Sequence, residues 1–162
     1  MPNIYTPLFD QDRHSPDGFH ALRALIGRQA GAERLGMSLW ELPAGQAAYP
    51  YHFHLNDEEL IVVLDGGLSL RTPDGWRDLE PGAVVSFPVG ERGAHQLMNR
   101  SEDTVRFLAF SSAGQPDTCV YPDSRKVGMS ERRPGGFTMR IVYDQGDTDV
   151  EYWRGERPPS RP

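Results

Sequence analysis

Apolar and polar residues alternate along most of this chain with the two-residue period of strands, in short runs broken by Gly, Pro, Asp and Asn. Met37–Leu42 reads as one strand, and Pro43-Ala-Gly45 ends it with turn chemistry. Tyr49–His54 reads as a second strand and Glu59–Leu64, rich in β-branched residues, as a third. Asp65-Gly66-Gly67 has the residues of a tight hairpin turn. Leu68–Thr72 and Trp76–Leu79 flank another turn, Pro73-Asp74-Gly75. Pro81-Gly82 then precedes a strand at Ala83–Phe87, and His95–Asn99 and Thr104–Phe110 follow it. Strands recurring about every 8–12 residues predict an all-β sandwich or barrel. Phe137–Tyr143 and Val150–Trp153 add two strands near the C-terminus. In the first 34 residues the pattern is weak, and Phe19–Ile26 fits a short helix and a strand equally well.

Composition agrees with short strands and tight turns. The chain has 162 residues, the length of one domain, with 17 Gly and 14 Pro, about a fifth of the total. Its apolar share of 38% reaches the ordinary globular range once Gly is counted. A net charge of −6 argues against a nucleic-acid partner, which calls for a basic face. No apolar run approaches the roughly 18 residues of a membrane span, and the first residues lack the basic and apolar regions of a signal peptide. Cys119, the single cysteine, can make no internal disulfide, so the expected compartment is the reducing cytoplasm. With no second thiol it cannot build a thiolate metal site, and it reads as a partly buried, inert side chain.

The chemistry concentrates in His52, His54 and His95. Residues i and i+2 of a strand share a face, so His52 and His54 present two imidazoles side by side. A lone histidine at a strand end is ordinarily a surface residue. A His-x-His pair followed by Glu58 and Glu59 at the start of an apolar strand points instead to metal ligation, with His95 joining from a more distant strand. Tyr49, Tyr51 and Phe53 alternate with the histidines and are expected to face outward, onto outer strands or a partner subunit.

These residues lie in two longer patterns. Gly45, His52-x-His54, Glu58-Glu59 and Gly66 form the first. Gly82, Pro88-x-Gly90, His95 and Asn99 form the second, and 15 residues separate Gly66 from Gly82. Together they resemble the two motifs of the cupin superfamily, with one extra residue before His52 and two more than usual between Gly90 and His95. The resemblance implies a cupin jelly-roll β-barrel with N- and C-terminal extensions. It also implies one divalent ion (Zn, Fe, Mn, Ni, Co or Cu) held by His52, His54, Glu59 and His95. Glu58 also fits the motif, but the six residues between Glu59 and Gly66 favour Glu59.

The chain then divides into an N-terminal extension (1–34), a barrel core (35–112) and a C-terminal arm with extra strands (113–162). Strand parity places Ile61 and Val63, and Leu97 and Asn99, beside the ligands as the wall of a small, mostly apolar pocket. Asn99 has two readings, contacting a ligand or holding a turn. Val120–Gly128 and Glu151–Glu156 resemble segments of small bacterial cupins and read as a structural arm. The family's range allows an oxygenase, isomerase, lyase or decarboxylase acting on a carboxylate or sugar derivative, or a non-catalytic sensor of small molecules. Unpaired sheet edges beyond the barrel, with the aromatic row, suggest a homodimer.

Overall fold

The structure is a computed structural model that describes residues 1–14, 18–133 and 136–146. The expected strand Val150–Trp153 and the segment Glu151–Glu156 lie outside the described residues. Thirteen strands are described: β1 (Gln11–His14), β2 (His20–Ala24), β3 (Gly36–Leu42), β4 (Phe53–His54), β5 (Glu59–Asp65), β6 (Leu68–Thr72), β7 (Gly75–Leu79), β8 (Val84–Phe87), β9 (Gln96–Met98), β10 (Val105–Ser111), β11 (Asp117–Tyr121), β12 (Lys126–Arg133) and β13 (Gly136–Asp144). One short helix, α1 (Ile26–Gln29), follows β2, so the ambiguous Phe19–Ile26 segment is a strand that runs into a helical turn.

The strands form an antiparallel jelly roll. One layer is a six-stranded sheet in the order β1-β2-β3-β10-β5-β8. The other consists of a three-stranded sheet, β7-β6-β9, and a four-stranded sheet, β13-β12-β11-β4. Two isolated bridges, Ala47 with Met98 and His52 with His95, join those two sheets. The extensions lengthen the sheets edgewise, with β1 and β2 continuing from β3 and β11 to β13 continuing from β4. Among the described residues no helix is long and apolar enough to cross a membrane.

The alternation in the sequence is the cause of the core. Leu42, Ile61, Val63, Leu68, Leu70, Leu97, Val105 and Phe107 all point inward and meet between the layers, with Trp40 stacked on Phe107 at 5.8 Å. Two local expectations are corrected. Asp65-Gly66-Gly67 turns sharply, with Gly66 at φ +77°, but β5 pairs with β10 and β8 while β6 pairs with β7 and β9. The turn therefore carries the chain from one layer to the other and does not close a hairpin. Gly is required there, because a Cβ would press on the Val105 side chain at 2.9 Å. The second correction concerns Tyr49 of the aromatic row. Tyr51 and Phe53 are buried against Ala94 and Val120 of their own chain, and Tyr49 joins the central core. For Tyr51 and Phe53 the outer strand β11 of the C-terminal sheet is the cover, one of the two expected.

Candidate metal centre

His52, His54, Glu59 and His95 come together at the junction of the layers. His52 and His95 exchange both main-chain hydrogen bonds, at 3.1 and 2.8 Å, so backbone pairing alone sets their spacing. β4 carries His54 and β5 opens with Glu59. His54 Nε2 lies 3.1 Å from His52 Nε2 and 3.3 Å from Glu59 Oε2, and His95 Nε2 lies 3.4 Å from the same oxygen. The ligand atoms of His52, Glu59 and His95 all fall within 4.8 Å of one another. Glu58 is exposed, and its backbone NH donates to Ser112 Oγ. The carboxylate that reaches the imidazoles belongs to Glu59.

The other ring nitrogens fix the tautomers. His52 Nδ1–H donates to the Pro50 carbonyl at 2.9 Å and His95 Nδ1–H to the Gly93 carbonyl at 3.0 Å, and a carbonyl can only accept. His54 Nδ1–H donates to Asp117 Oδ2 at 2.6 Å. All three rings thus turn Nε2 toward a common point, as metal-binding histidines do. His95 Nε2 is buried without a hydrogen-bond partner. An orphaned lone pair, crowded acceptors and gaps near 3 Å suit a cation at the centre, since two ligands about 2.1 Å from an ion and at right angles lie about 3 Å apart. The residues therefore fit a divalent ion.

Electrostatics point the same way. Burial first, then the charge of His95, pushes His52 down to about 3. Burial also lowers His95. Both rings are neutral near pH 7, the form that ligates metal. Burial alone would raise Glu59, but the hydrogen bond and charge of His54 outweigh it and hold the carboxylate at about 2. Burial alone would lower His54, yet its bonds to Asp117 and Glu59 raise it to about 10, so without an ion it carries the proton that eases the cluster.

The surroundings include residues that sequence reasoning missed. Asp117, Cys119 and Tyr121 share one face of β11, and each meets the centre. Asp117 orients His54, the Cys119 sulfur lies within 4.8 Å of ligand atoms of His52 and His54, and the Tyr121 ring stacks on His52 at 5.9 Å. Burial pushes the Cys119 thiol up to about 12, so it is protonated at neutral pH. Tyr49 contacts His52 and His95 edge-on at 4.8 and 5.5 Å, where it was expected to face outward. Phe87 stacks on His95 at 3.7 Å. The two-residue alternation Asp-x-Cys-x-Tyr was the available signal.

Of the expected pocket wall, Ile61, Val63 and Leu97 share one packed core with Trp40 and Phe107. Asn99 is fully buried and fully bonded. Its Nδ2 donates to the carbonyls of Leu42 and Asp103, and its Oδ1 accepts from the backbone and hydroxyl of Ser101. It holds a turn and has no polar group left for a ligand.

No curated protein matches the sequence. Residues 38–111 match the cupin domain family model. A candidate sugar phosphate isomerase from Acidithiobacillus ferrooxidans superposes with TM-score 0.72 at 25% identity, over 83% of this chain and 82% of that one. A sugar phosphate isomerase of the cupin superfamily from Silicibacter pomeroyi gives 0.74 at 22% identity over 94% and 97%, a likeness of fold alone. The polyketide cyclase RemF from Streptomyces resistomycificus gives 0.51 at 27% identity over 60% and 68%.

Proposed function

We propose that this chain, whose residues 38–111 match the cupin domain family, is a metal-dependent enzyme that interconverts small phosphorylated hydroxy-carbonyl compounds. The observation that carries the reading is the convergence of three Nε2 atoms and Glu59 Oε2 on one point, with every Nδ1 tied elsewhere. The substrate class follows the candidate sugar phosphate isomerase from Acidithiobacillus ferrooxidans, 25% identical to this chain.

His52, His54, Glu59 and His95 would hold the ion, and a divalent ion there supplies Lewis acidity to adjacent carbonyl and hydroxyl oxygens. Three neutral imidazoles and one carboxylate leave a net charge of about +1 and open positions for such oxygens. Tyr49, raised by burial and then by the charge of Glu59, stays neutral with its ring against His52 and His95. Tyr121 and Cys119 likewise keep their protons. Phe87 and the Tyr121 ring cover the imidazole faces and exclude water there, which strengthens the pull on a bound oxygen.

The test is elemental analysis of protein purified without chelator or nickel resin, followed by NMR of pentose and hexose phosphates incubated with it. We expect close to one ion per chain, its loss in His95→Ala, and isomer interconversion by the wild type. Substoichiometric metal in every preparation would overturn the reading. Full metal with ligand binding but no turnover would replace it with a binding module.

A further inference from the structure

We propose that Cys119 is a further ligand of the metal centre, its sulfur joining the imidazoles of His52 and His54 so that the centre favours ions with an affinity for sulfur. This rests on reading His52, His54, Glu59 and His95 as the holders of a divalent ion and adds which ions they take.

β11 sorts its side chains by face. Val120 packs with Tyr51, Phe53 and Ala94, whereas Cys119 shares the opposite face with Asp117 and Tyr121. In the ladder between β4 and β11, Cys119 lies directly opposite His54, so the two side chains leave the sheet on the same face.

Two overlapping groups of donors therefore meet at His52. One is His52, Glu59 and His95, and the other is His52, His54 and Cys119; within each, all ligand atoms lie inside 4.8 Å of one another. The Nε2 atoms of His52 and His54 are 3.1 Å apart, and His54 Nε2 is 3.3 Å from Glu59 Oε2, so the two groups share one centre. A buried thiol is ordinarily a small apolar filler. This one sits beside two imidazoles, in a centre where His95, 1% exposed, holds its Nε2 without a hydrogen-bond partner. A buried lone pair left idle in a cluster that also offers sulfur points to a cation between them.

A single thiol builds no site of its own, but it can complete one whose other donors are imidazole and carboxylate. The thiol holds its proton in the ion-free centre. On ligation Cys119 releases that proton to water, and the S–H electron pair becomes the bond to the ion. The thiolate occupies one open position and cancels part of the remaining positive charge. Sulfur favours zinc over manganese, which prefers oxygen donors.

The experiment loads metal-free protein with cobalt(II), without oxygen or thiol reagents, and records the near-ultraviolet spectrum and cobalt content of the same samples. Cys119 is the single cysteine, so a thiolate-to-cobalt charge-transfer band can come from no other residue. We expect that band in the wild type at about one cobalt per chain, its loss in Cys119→Ser, and its loss together with the ion in His95→Ala. In competition, the preference for zinc over manganese should shrink roughly tenfold in Cys119→Ser. Cobalt bound without the band, a band that persists in Cys119→Ser, or an unchanged zinc preference there would overturn the proposal and leave the four-residue centre standing. A band that survives in His95→Ala would put the sulfur on a different ion and overturn it as well. A wild type that bound no cobalt would overturn both readings. The wild-type spectrum decides even where a variant fails to fold.

Discussion

Asp117 orients one imidazole and closes one turn with a single carboxylate. Oδ2 accepts from His54 Nδ1, and Oδ1 accepts from the Asn56 backbone at 3.2 Å. The side chain both fixes the His54 ring and makes its free nitrogen more basic. Replacing Asp117 by Asn keeps the shape but removes the charge and leaves the ring orientation ambiguous. We expect Asp117→Asn to bind metal roughly 10–100-fold more weakly, with the β-rich circular dichroism spectrum retained; competition against a chromophoric chelator measures it. His52, His54, Glu59 and His95 stand out in the sequence because their spacing repeats a pattern within about fifty residues. Asp117 is 63 positions from His54, and no local pattern marks a partner brought in by folding.

At the scale of elements, the ligands depend on short, tightly packed connections. A 3₁₀ turn at Glu91–Gly93 leads into His95, and the Gly93 carbonyl holds the His95 ring. A Cβ on Gly93 would collide with the backbone carbonyl of Pro88, which cannot swing away as a side chain can. Gly93→Ala should therefore lower both the thermal midpoint and the metal content. Gly67→Ala, where an added methyl meets nothing within 4 Å, should leave both unchanged or raise the midpoint slightly. Differential scanning calorimetry with elemental analysis distinguishes the two. Strand periods were legible because alternation follows from burial on one face, and β3, β5 and β10 fall where it places them. The connections were less so. Alternation does not say which strands pair, so Asp65–Gly67 read as a hairpin. Tyr49–His54 read as a full strand, although only Phe53–His54 pairs as one and His52 is held by a single bridge.

Across the whole molecule, the buried histidines make the stability of metal-free protein depend on pH. His52 at about 3 and the lowered His95 both titrate below their ordinary value of 6.5. Their contribution is full above 6.5 and is lost as pH falls toward 3, because the unfolded chain takes up protons that the folded one refuses. Glu59 at about 2 adds a loss of the same sign below its ordinary 4.5. His54, raised to about 10, works in reverse, contributing fully below 6.5 and losing its effect as pH climbs through 10. Urea midpoints in the presence of chelator should accordingly fall from pH 6.5 to pH 4, and again from pH 7 to pH 10. A midpoint that rose on either side would contradict the arrangement. The match to the cupin domain spans residues 38–111, which hold His52, His54, Glu59 and His95 but not Asp117, Cys119 or Tyr121. The four side chains of the candidate centre and the strand that orients and covers them therefore lie on separate stretches of the chain, so β11 can be altered while those four residues stay as they are.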